Sequence, residues 1–431
     1  MFFNSALFNR ARSFWGWSFH LIFIVLWFLC VMKIADIKNE FLDASADFTA
    51  WCKTALKYWA ENGCDPRGGV YEHLFMDGTP DADHLRRVRV QARYVYVYAH
   101  AADLGWYEDS KTACDHAWKF LMGPGFAGGD YIKGAEHLAP SKRGCAHLVT
   151  GTGEMHDDMR DSYAQAFVLL SGAWRYKAFG DKAALKIAED TLAFLNTHLK
   201  AENGGWYEAL PKPSSDQRRQ NPHMHLFEAF LALNELTGEA KYLEMAGAMF
   251  DLFEKHFFDK DKKALLEFFN PDWSPAKADG GPTEPGHMME WCWLLRVYER
   301  LSGRNMDAYA NALFEGGMEY GLNPKLGLLC DAVELDGTPF KPTLRSWPQT
   351  ELIKASVAQA AAGQLGYLEQ ATKGIRALMR YYLDVPVKGG WADQLDPDGN
   401  IISKVMPTST FYHLFCAAAE ADKLAQSLRA A

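Results

Sequence analysis

Short turns that join glycine to aromatic or apolar residues recur along this 431-residue chain and divide it into segments of similar length. Successive turns lie roughly 60 to 75 residues apart, the length of two helices with their connections. Between the turns, apolar residues recur at helical spacing, as in Tyr94, Tyr98 and Ala101. Five turns are clear and one is weaker, and we call them the repeat turns: 68–72, 128–131, 204–208, 327–331, 389–393 and, weaker, 264–268. The chain is therefore predicted to form six helical hairpins.

Six helical hairpins can stack as an open solenoid or close into a ring. Solenoid repeats usually share a consensus along their helices, whereas these hairpins share only their turns. Residues with catalytic chemistry also stand at different places in different hairpins, as expected if they converge on a central pocket. We therefore predict an all-α fold, an (α/α)6 barrel with short strands or loops at the pocket mouth. No linker divides residues 32–431, so one catalytic domain is expected.

Composition argues against several classes of protein. The chain is 48% hydrophobic and 23% charged, which is typical of a globular protein with a sizeable core. A net charge of −9 without a block of Lys or Arg argues against nucleic-acid binding. The eight cysteines include no Cys-x-x-Cys pair, so neither a zinc framework nor a dense disulfide scaffold is indicated. Reduced thiols and a cytoplasmic location are the default expectation.

Residues 1–31 form a hydrophobic leader with more than one interpretation. The stretch 14–32 is apolar for about 19 positions, long enough for a membrane anchor. No Ala-x-Ala-like site follows it, which disfavours a cleaved signal peptide. The polar segment that opens at Met32 favours a start codon assigned too early, and a membrane-anchored protein is the alternative. Catalysis is not expected to depend on this leader.

Two segments place a histidine and a glutamate three residues apart at the start of an apolar helix. One pair is His225 and Glu228 in NPHMHLFEA, and the other is His287 and Glu290 in TEPGHMMEW. Residues three apart share one helix face, so each pair can reach a single ligand. Imidazole, with an unperturbed pKa of about 6.5, can accept and return a proton at neutral pH. The two segments predict a site that transfers protons.

A series of motifs in sequence order resembles those of the N-acylglucosamine 2-epimerase family, which includes cellobiose 2-epimerases and mannose isomerases. They are Asn221-x-x-Met224-His225-x-x-Glu228-Ala229, Pro285-Gly286-His287-x-x-Glu290-Trp291, Trp347-x-x-x-Glu351 and Tyr412-His413, with Asp161-x-Tyr163-x-x-Ala166-Phe167 and Gln91-x-Arg93 as further similar segments. Singly each motif is weak, but their shared order from about residue 40 onward is specific. The resemblance implies an (α/α)6 barrel, reactions at the reducing end of sugars, and no cofactor for the chemistry. For this chain we expect a small monosaccharide substrate.

The chemistry of such a reaction assigns roles to the candidate residues. Isomerisation or inversion at C2 removes the proton next to an open-chain carbonyl, and His287 and His413 are expected on either side of C1–C2 to abstract and return it. His225 follows the family pattern and is expected to act in ring opening at O1 and O5. Arg93 is expected to stabilise the enediolate oxygen, because a guanidinium keeps its charge, with Arg89 as the fallback.

The remaining candidates are expected to bind substrate. Glu290 and Glu228 would each hold the tautomer of the neighbouring histidine or bind a sugar hydroxyl. Tryptophan rings could stack on a sugar face, although such residues are equally expected in the core. A metal at His223-x-His225 is not expected, because residues two apart point to different helix faces. The expected substrate-binding set is Arg93, Asn221, Glu228, Glu290, Trp291, Trp347 and Glu351.

The choice of sugar depends on the resemblance alone. The Tyr412-His413-Leu414 segment and the stretch 345–351 are closer to the mannose isomerase branch, and they lack residues that flank the C-terminal histidine in N-acylglucosamine epimerases. We therefore expect aldose–ketose interconversion of a free hexose through an enediol, with an N-acylglucosamine or cellobiose-type 2-epimerase as the alternative. Sequence spacing does not separate the two outcomes. A homodimer is compatible with this reading.

Two other classes of function stay open. A glycoside hydrolase on an α/α toroid uses two carboxylates, which Glu72, Asp161, Glu284 and Glu351 could supply, but it leaves the histidine motifs unexplained. A sugar-binding module would use the same pocket without turnover.

Overall fold

A computed structural model describes residues 6–214, 217–277 and 282–430, with side chains described for residue 33 and from residue 35 onward. The leader 1–31 and the apolar run 14–32 lie outside the residues with described side chains, and so do the expectations for them. Within the part of the chain that was described, no helix is long and apolar enough to cross a membrane.

Twelve α-helices make up most of the described chain. They are α1 (Ala6–Asn62), α2 (Val88–Asp103), α3 (Ser110–Met122), α4 (Ser162–Phe179), α5 (Lys182–Phe194), α6 (Gln220–Thr237), α7 (Ala240–Leu252), α8 (Pro285–Ser302), α9 (Asp307–Gly321), α10 (Ser346–Ala361), α11 (Tyr367–Leu378) and α12 (Thr408–Ala430). The even-numbered helices form an inner ring in which each packs on the next. The odd-numbered helices pack outside it as the second layer.

The ring closes where its two ends meet. Helix α12 packs on α2, and α1 packs on both α12 and α11, so the first helix completes the last hairpin. Trp59 of α1 stacks on Trp391 at 4.5 Å between ring centroids and donates a hydrogen bond to the carbonyl of Gly389. The predicted (α/α)6 barrel is confirmed, and the open solenoid is excluded.

Short antiparallel strands accompany the hairpins. They are β1 (His73–Phe75), β2 (Arg86–Arg87), β3 (Leu148–Val149), β4 (Met155–Asp157), β5 (Arg160–Asp161), β6 (Ala209–Leu210), β7 (Arg218–Arg219), β8 (Phe258–Asp259), β9 (Ala264–Leu265), β10 (Phe268–Phe269), β11 (Leu322–Asn323), β12 (Leu328–Leu329), β13 (Ala332–Val333), β14 (Pro339–Lys341), β15 (Leu344–Arg345), β16 (Gln394–Leu395) and β17 (Val405–Pro407). Strands β2, β5, β7, β15 and β17 each end at the residue before an inner helix. They pair with β3, β6, β10, β16 and β1, which follow the outer helix of the same hairpin.

These strand pairs hold the first turns of the inner helices together at one end of the barrel. The repeat turns lie at the same end, each after an outer helix. Gly205 shows why glycine is needed there: its φ is +66°, and a Cβ would lie 2.5 Å from Nε2 of His223. That imidazole accepts from the backbone N–H of Trp206 and lies 2.9 Å from the carbonyl of Arg219 through Nδ1. His223 is therefore a buried structural residue.

Candidate active site

The inner helices bring residues of equal rank to similar positions around the barrel. The sixth residues of the six inner helices are Arg93, Phe167, His225, Glu290, Glu351 and His413. Four residues earlier, one turn away on the same helix face, stand Arg89, Tyr163, Asn221, Gly286, Trp347 and Ser409. Both sets therefore face the barrel axis near the end where the inner helices begin.

A cavity of about 460 Å³ lies at this end of the barrel. It is lined by Arg87, Arg89, Arg93, Tyr163, Asn221, His225, Glu284, His287, Glu290, Lys341, Arg345, Trp347, Asp393, Pro407, Ser409, Thr410 and His413. The three predicted histidines come from α6, α8 and α12 and share this space. Four predicted binding residues, Arg93, Asn221, Glu290 and Trp347, line it with them.

His287 is held by a carboxylate from a neighbouring repeat turn. Its Nδ1 lies 3.0 and 3.1 Å from the two carboxylate oxygens of Glu267, and its Nε2 lies 3.0 Å from Nδ2 of Asn221. Burial opposes the imidazolium, but the charges of Glu267 and Glu284 outweigh it and raise the pKa of His287 to about 10. His287 is therefore charged at neutral pH and can act as a proton donor.

His413 has the opposite electrostatic environment. Its Nδ1 lies 2.8 Å from Oε1 of Glu351, whose other oxygen lies 2.6 Å from Nζ of Lys354. Burial and the nearby cations Arg93 and Lys354 lower the pKa of His413 well below its usual value. The imidazole is thus neutral at pH 7. With the Nδ1 proton donated to Glu351, the free Nε2 can accept a proton.

His225 is neutral for a similar reason. Burial lowers its pKa to about 3, although Glu290 favours the charged form. Its Nδ1 lies 3.0 Å from Oε2 of Glu228, whose other oxygen, Oε1, accepts a hydrogen bond from the hydroxyl of Tyr412. The Glu228 carboxylate, three residues along the helix, thus fixes the tautomer of His225. This is one of the two roles expected of Glu228.

Arg93 is a buried cation without a carboxylate partner among the described residues. One guanidinium nitrogen donates to the hydroxyl of Tyr163 over 2.6 Å, and the other donates to the carbonyl of Ser409. The guanidinium lies 4.2 Å from the ring centroid of Phe167 and 4.9 Å from that of Tyr412. Aromatic faces stabilise the charge without neutralising it, so it stays available to a negatively charged oxygen in the cavity.

Trp347 lies close to both His287 and His413. Its ring centroid is 5.1 Å from that of His287 and 5.7 Å from that of His413. The indole therefore forms the wall of the cavity between the proposed donor and acceptor. Trp291 differs: it is fully buried, donates to Oε1 of Gln220 and stacks on Phe253 at 4.5 Å. The expected sugar contact of Trp291 is wrong, because the ring is core.

Two further predicted residues lie beneath the cavity rather than on its wall. Glu228 and Glu351 are buried and do not line the cavity, since each is occupied by a histidine of the site. The expectation that they bind substrate directly is therefore corrected: Glu228 positions His225, and Glu351 positions His413. Glu290 does line the cavity, but Glu267 rather than Glu290 holds His287.

Sequence reasoning missed Glu267, although a pattern marks it. Four repeat turns carry, at their last or next-to-last position, a carboxylate that accepts the backbone N–H of the residue before an inner helix: Glu72 from Arg87, Glu208 from Arg219, Glu267 from Glu284, and Asp331 from Arg345. The acidic residue at the end of each turn was visible in the sequence. The sequence does not show that only one of these four carboxylates also reaches a cavity histidine in the described structure.

Lys354 is the other missed residue. It is fully buried three residues after Glu351, and its Nζ lies 3.9 Å from Glu290 and 3.8 Å from the ring centroid of Trp293. The surrounding carboxylates raise the pKa of Lys354 against the effect of burial. Donor atoms of His413, Glu351 and Glu290 lie close enough to hold a metal ion, but the ammonium already supplies a cation to both carboxylates. These residues fit a metal poorly.

The family follows from comparison with known proteins. The family model of N-acylglucosamine 2-epimerase (GlcNAc 2-epimerase) matches residues 69–417. The chain belongs to this family. A mannose-6-phosphate isomerase of Rhizobium meliloti (strain 1021) is 34% identical over 391 residues, covering 88% of this chain and 96% of that protein. A D-mannose isomerase of Marinomonas mediterranea is 25% identical over 332 residues, covering 73% and 80%.

Solved structures agree in fold. The crystal structure of a D-mannose isomerase has a TM-score of 0.76 at 22% identity, covering 88% of this chain and 97% of that one. A cellobiose 2-epimerase from Spirochaeta thermophila DSM 6192 also has a TM-score of 0.76 at 22% identity, covering 92% and 98%. The predicted class of enzyme, a sugar isomerase or epimerase, is confirmed by the family and its members.

The hydrolase alternative loses its support in this geometry. Of the four carboxylates considered for it, only Glu284 lines the cavity. Glu72 is paired with Arg87, Asp161 caps α4 and contacts His147, and Glu351 is buried against Lys354. Each of these three is committed to a structural partner, so the four do not form a pair that flanks one bond.

Proposed function

We propose that this family member interconverts an aldose and its 2-ketose by proton transfer between C1 and C2 of an open-chain hexose. One observation carries the proposal: two histidines of one cavity have pKa values shifted in opposite directions, His413 downward and His287 upward. Environments that separate two pKa values in this way provide a base and an acid at the same pH. A ring-opened sugar needs both at its C1–C2 unit.

In the first step, Nε2 of His413 takes the proton from C2 of the aldose. The electron pair of that C–H bond forms the C1=C2 double bond, and the carbonyl π pair moves to O1. O1 takes a proton from the imidazolium of His287, which yields a neutral enediol. The guanidinium of Arg93 would stabilise the negative charge that builds up on oxygen in the transition state.

The second step returns both protons. His287, now neutral, takes the proton from O2 as the C2 carbonyl forms, and the C1=C2 electron pair takes the proton of His413 at C1. Each histidine regains its starting charge, and the reduction of C1 balances the oxidation of C2, so the reaction needs no added redox partner. An Asn side chain can present either its oxygen or its nitrogen, so Asn221 can serve His287 in both charge states by rotating its amide.

Unpaired polar atoms support a polyhydroxylated substrate. Oε1 of Glu290 and Nε of Arg93 are buried and have no hydrogen-bond partner among the described residues. Such groups usually have partners, because leaving them unpaired costs about 1–3 kcal/mol each. Sugar hydroxyls would pair with them, and these contacts would hold C1–C2 against the histidines.

The charge of the cavity favours a second candidate substrate, a hexose phosphate. Arg89 and Lys341 both line the cavity and form no ion pair in the described part of the structure. A neutral hexose does not need these charges, whereas a phosphate group would pair with them. The name of the Rhizobium relative, mannose-6-phosphate isomerase, points to the same substrate class. Free mannose stays the first candidate on the motif resemblance.

Proton NMR in D2O tests the proposal. The protein is incubated separately with mannose, mannose 6-phosphate, glucose, fructose, N-acetylmannosamine and cellobiose. Conversion of mannose or its phosphate to the ketose, with deuterium incorporated at C1, supports isomerisation, and comparison of kcat/KM for the two sugars decides between the candidates. Inversion at C2 without ketose release would make the protein a 2-epimerase. No turnover of any of these sugars would refute the proposed function.

We further propose that the protein works in the cytoplasm. The seven cysteines with described side chains are all free, and most are buried, which suits a reducing compartment. Fractionation of the native host would test this.

A further inference from the structure

Two histidines and an aspartate converge beside the cavity mouth, outside the machinery described above. Nε2 of His73 lies 3.2 Å from Oδ2 of Asp81, and Nδ1 of His84 lies 3.7 Å from the same oxygen. The three donor atoms all lie within 4.8 Å of one another. Asp81 forms no ion pair with Lys or Arg within the ranges described, so these two imidazoles are its partners.

The local backbone explains this convergence. His73 lies in β1, where it pairs with Pro407 of β17. The chain then folds back, Leu74 bridges to Pro80, and this antiparallel register places Asp81 opposite His73. The turn is stabilised by Asp77, whose carboxylate accepts from the backbone and the hydroxyl of Thr79. One ligand atom is thus on a strand and two are on the returning segment.

The spacing matches the coordination shell of a transition metal. Zinc binds imidazole nitrogen and carboxylate oxygen at about 2.0–2.2 Å, which places the donor atoms of a tetrahedral site about 3.4 Å apart. The separations of 3.2 and 3.7 Å at Asp81 bracket that value. The side chain of His84 is 49% exposed, so it can rotate to bring its nitrogen closer.

A cavity of about 370 Å³ provides room for the rest of the shell. Both histidines line it, together with Glu72, Leu85, Arg87, Leu148, Val405 and Pro407. Water molecules in this space can supply the remaining ligands, as in open sites with three protein ligands. Arg87 and Pro407 also line the active-site cavity, so the two spaces are neighbours.

We propose that His73, Asp81 and His84 form a binding site for a divalent transition-metal ion, with Zn²⁺ as the best match to two imidazoles and one carboxylate. The ion cross-links β1 to the segment that returns to β2 at the edge of the active-site mouth. It takes no part in the proton transfers, because all three ligands lie outside the catalytic cavity. The proposal is independent of the substrate.

A zinc titration of tag-free, chelator-treated protein tests the site. Zn²⁺ is added in competition with a chromophoric chelator to the wild type, to His84→Ala, to Asp81→Asn and to the control His137→Ala. His137 is an exposed histidine 3.4 Å from the carboxylate of Glu136, so it matches the pairing but lacks a second imidazole. Far-UV CD checks that each variant is folded, which is expected because the substituted side chains of His84 and Asp81 are partly exposed.

The expected result is one equivalent of Zn²⁺ bound by the wild type and by His137→Ala, with at least tenfold weaker binding in both site variants. Zn²⁺ should also slow hydrogen exchange in residues 76–84 of the wild type but not of His84→Ala. The proposal is overturned if the wild type takes up no stoichiometric Zn²⁺. It is equally overturned if His84→Ala binds as tightly as the wild type, because the ion would then sit elsewhere.

Discussion

Glu267 places both of its carboxylate oxygens near Nδ1 of His287, at 3.0 and 3.1 Å. The pair joins two elements, since Glu267 lies in a repeat turn and His287 lies in the first turn of α8. The negative charge of Glu267 is the main influence that raises the pKa of His287 against burial. This relationship supports the proposed role of His287 as the proton donor.

Replacing Glu267 by Gln should therefore move the alkaline limit of activity to lower pH. A raised pKa keeps His287 protonated until the pH passes about 10, and activity that needs the imidazolium falls above that value. Without the carboxylate, burial lowers the pKa and the fall begins earlier. The pH dependence of kcat/KM measures this alkaline limit. At pH 8, kcat/KM of Glu267→Gln should be about 10- to 100-fold lower than that of the wild type. Glu208→Gln, at the matching position of another repeat turn, should keep the wild-type limit, and an unchanged limit in Glu267→Gln would refute the assignment.

Replacing His413 by Asn should remove the base. Turnover should fall by about 10²- to 10⁴-fold, and exchange of the C2 proton of mannose for deuterium should fall with it. His287→Asn should lose turnover to a similar extent, because the enediol no longer receives a proton on O1. Helical CD should stay unchanged in both, since each side chain lies on the cavity wall. His198→Asn, outside the cavity, is the control, and near-full activity of either site variant would show that its role is wrong.

Replacing Lys354 by Met should destabilise the fold. The substitution leaves Glu351 and Glu290 buried without their cation, a change that typically costs about 3–5 kcal/mol in the free energy of unfolding. Urea unfolding measures it. The double variant Lys354→Met/Glu351→Gln should recover part of the loss, because one of the uncompensated charges is then removed. If the loss in the double variant equals the sum of the losses in Lys354→Met and Glu351→Gln, the ion pair does not couple these residues.

Trp347 and Trp291 form a matched pair for separating binding from packing. Trp347→Phe should raise KM by about two- to tenfold, because the ring borders the space between His287 and His413 and contributes about 0.5–1.5 kcal/mol as an aromatic wall. Trp291→Phe should lower the Tm and leave KM unchanged, because its indole donates to Gln220 inside the core. Steady-state kinetics and thermal unfolding on both variants suffice. A changed KM in Trp291→Phe alone would reverse the assignment.

Much of the fold was predictable because it depends on local periodicity. The repeat turns and the helical spacing of apolar residues indicated six hairpins, and twelve helices in two layers are what the structure contains in its described part. The pairing of His225 with Glu228 was predictable for the same reason, since residues three apart on a helix meet without help from the rest of the chain. The motifs around His287 and His413 likewise indicated residues that share one cavity.

The same local rule was wrong for His287. Glu290 also follows it by three residues, but Nδ1 of His287 contacts Glu267 instead, and Glu290 lines the cavity. The partner of His287 comes instead from Glu267, which only the folding of the repeat turn against α8 brings near. Trp291 shows the converse, because a tryptophan beside a catalytic motif turned out to pack between helices.

The amino-acid sequence by itself determined the helices, their number and the family, since periodicity and short motifs are properties of neighbouring residues. Only the tertiary structure decided the opposite charge states of His287 and His413, on which their proposed roles as acid and base depend. Glu284 is a near neighbour of His287 in the chain, but Glu267 reaches His287 only because the repeat turn folds against α8, and closure of the ring brings the cations Arg93 and Lys354 near His413. A pKa depends on the charges around a group and on its burial, and here most of these charges come from residues that are distant along the chain.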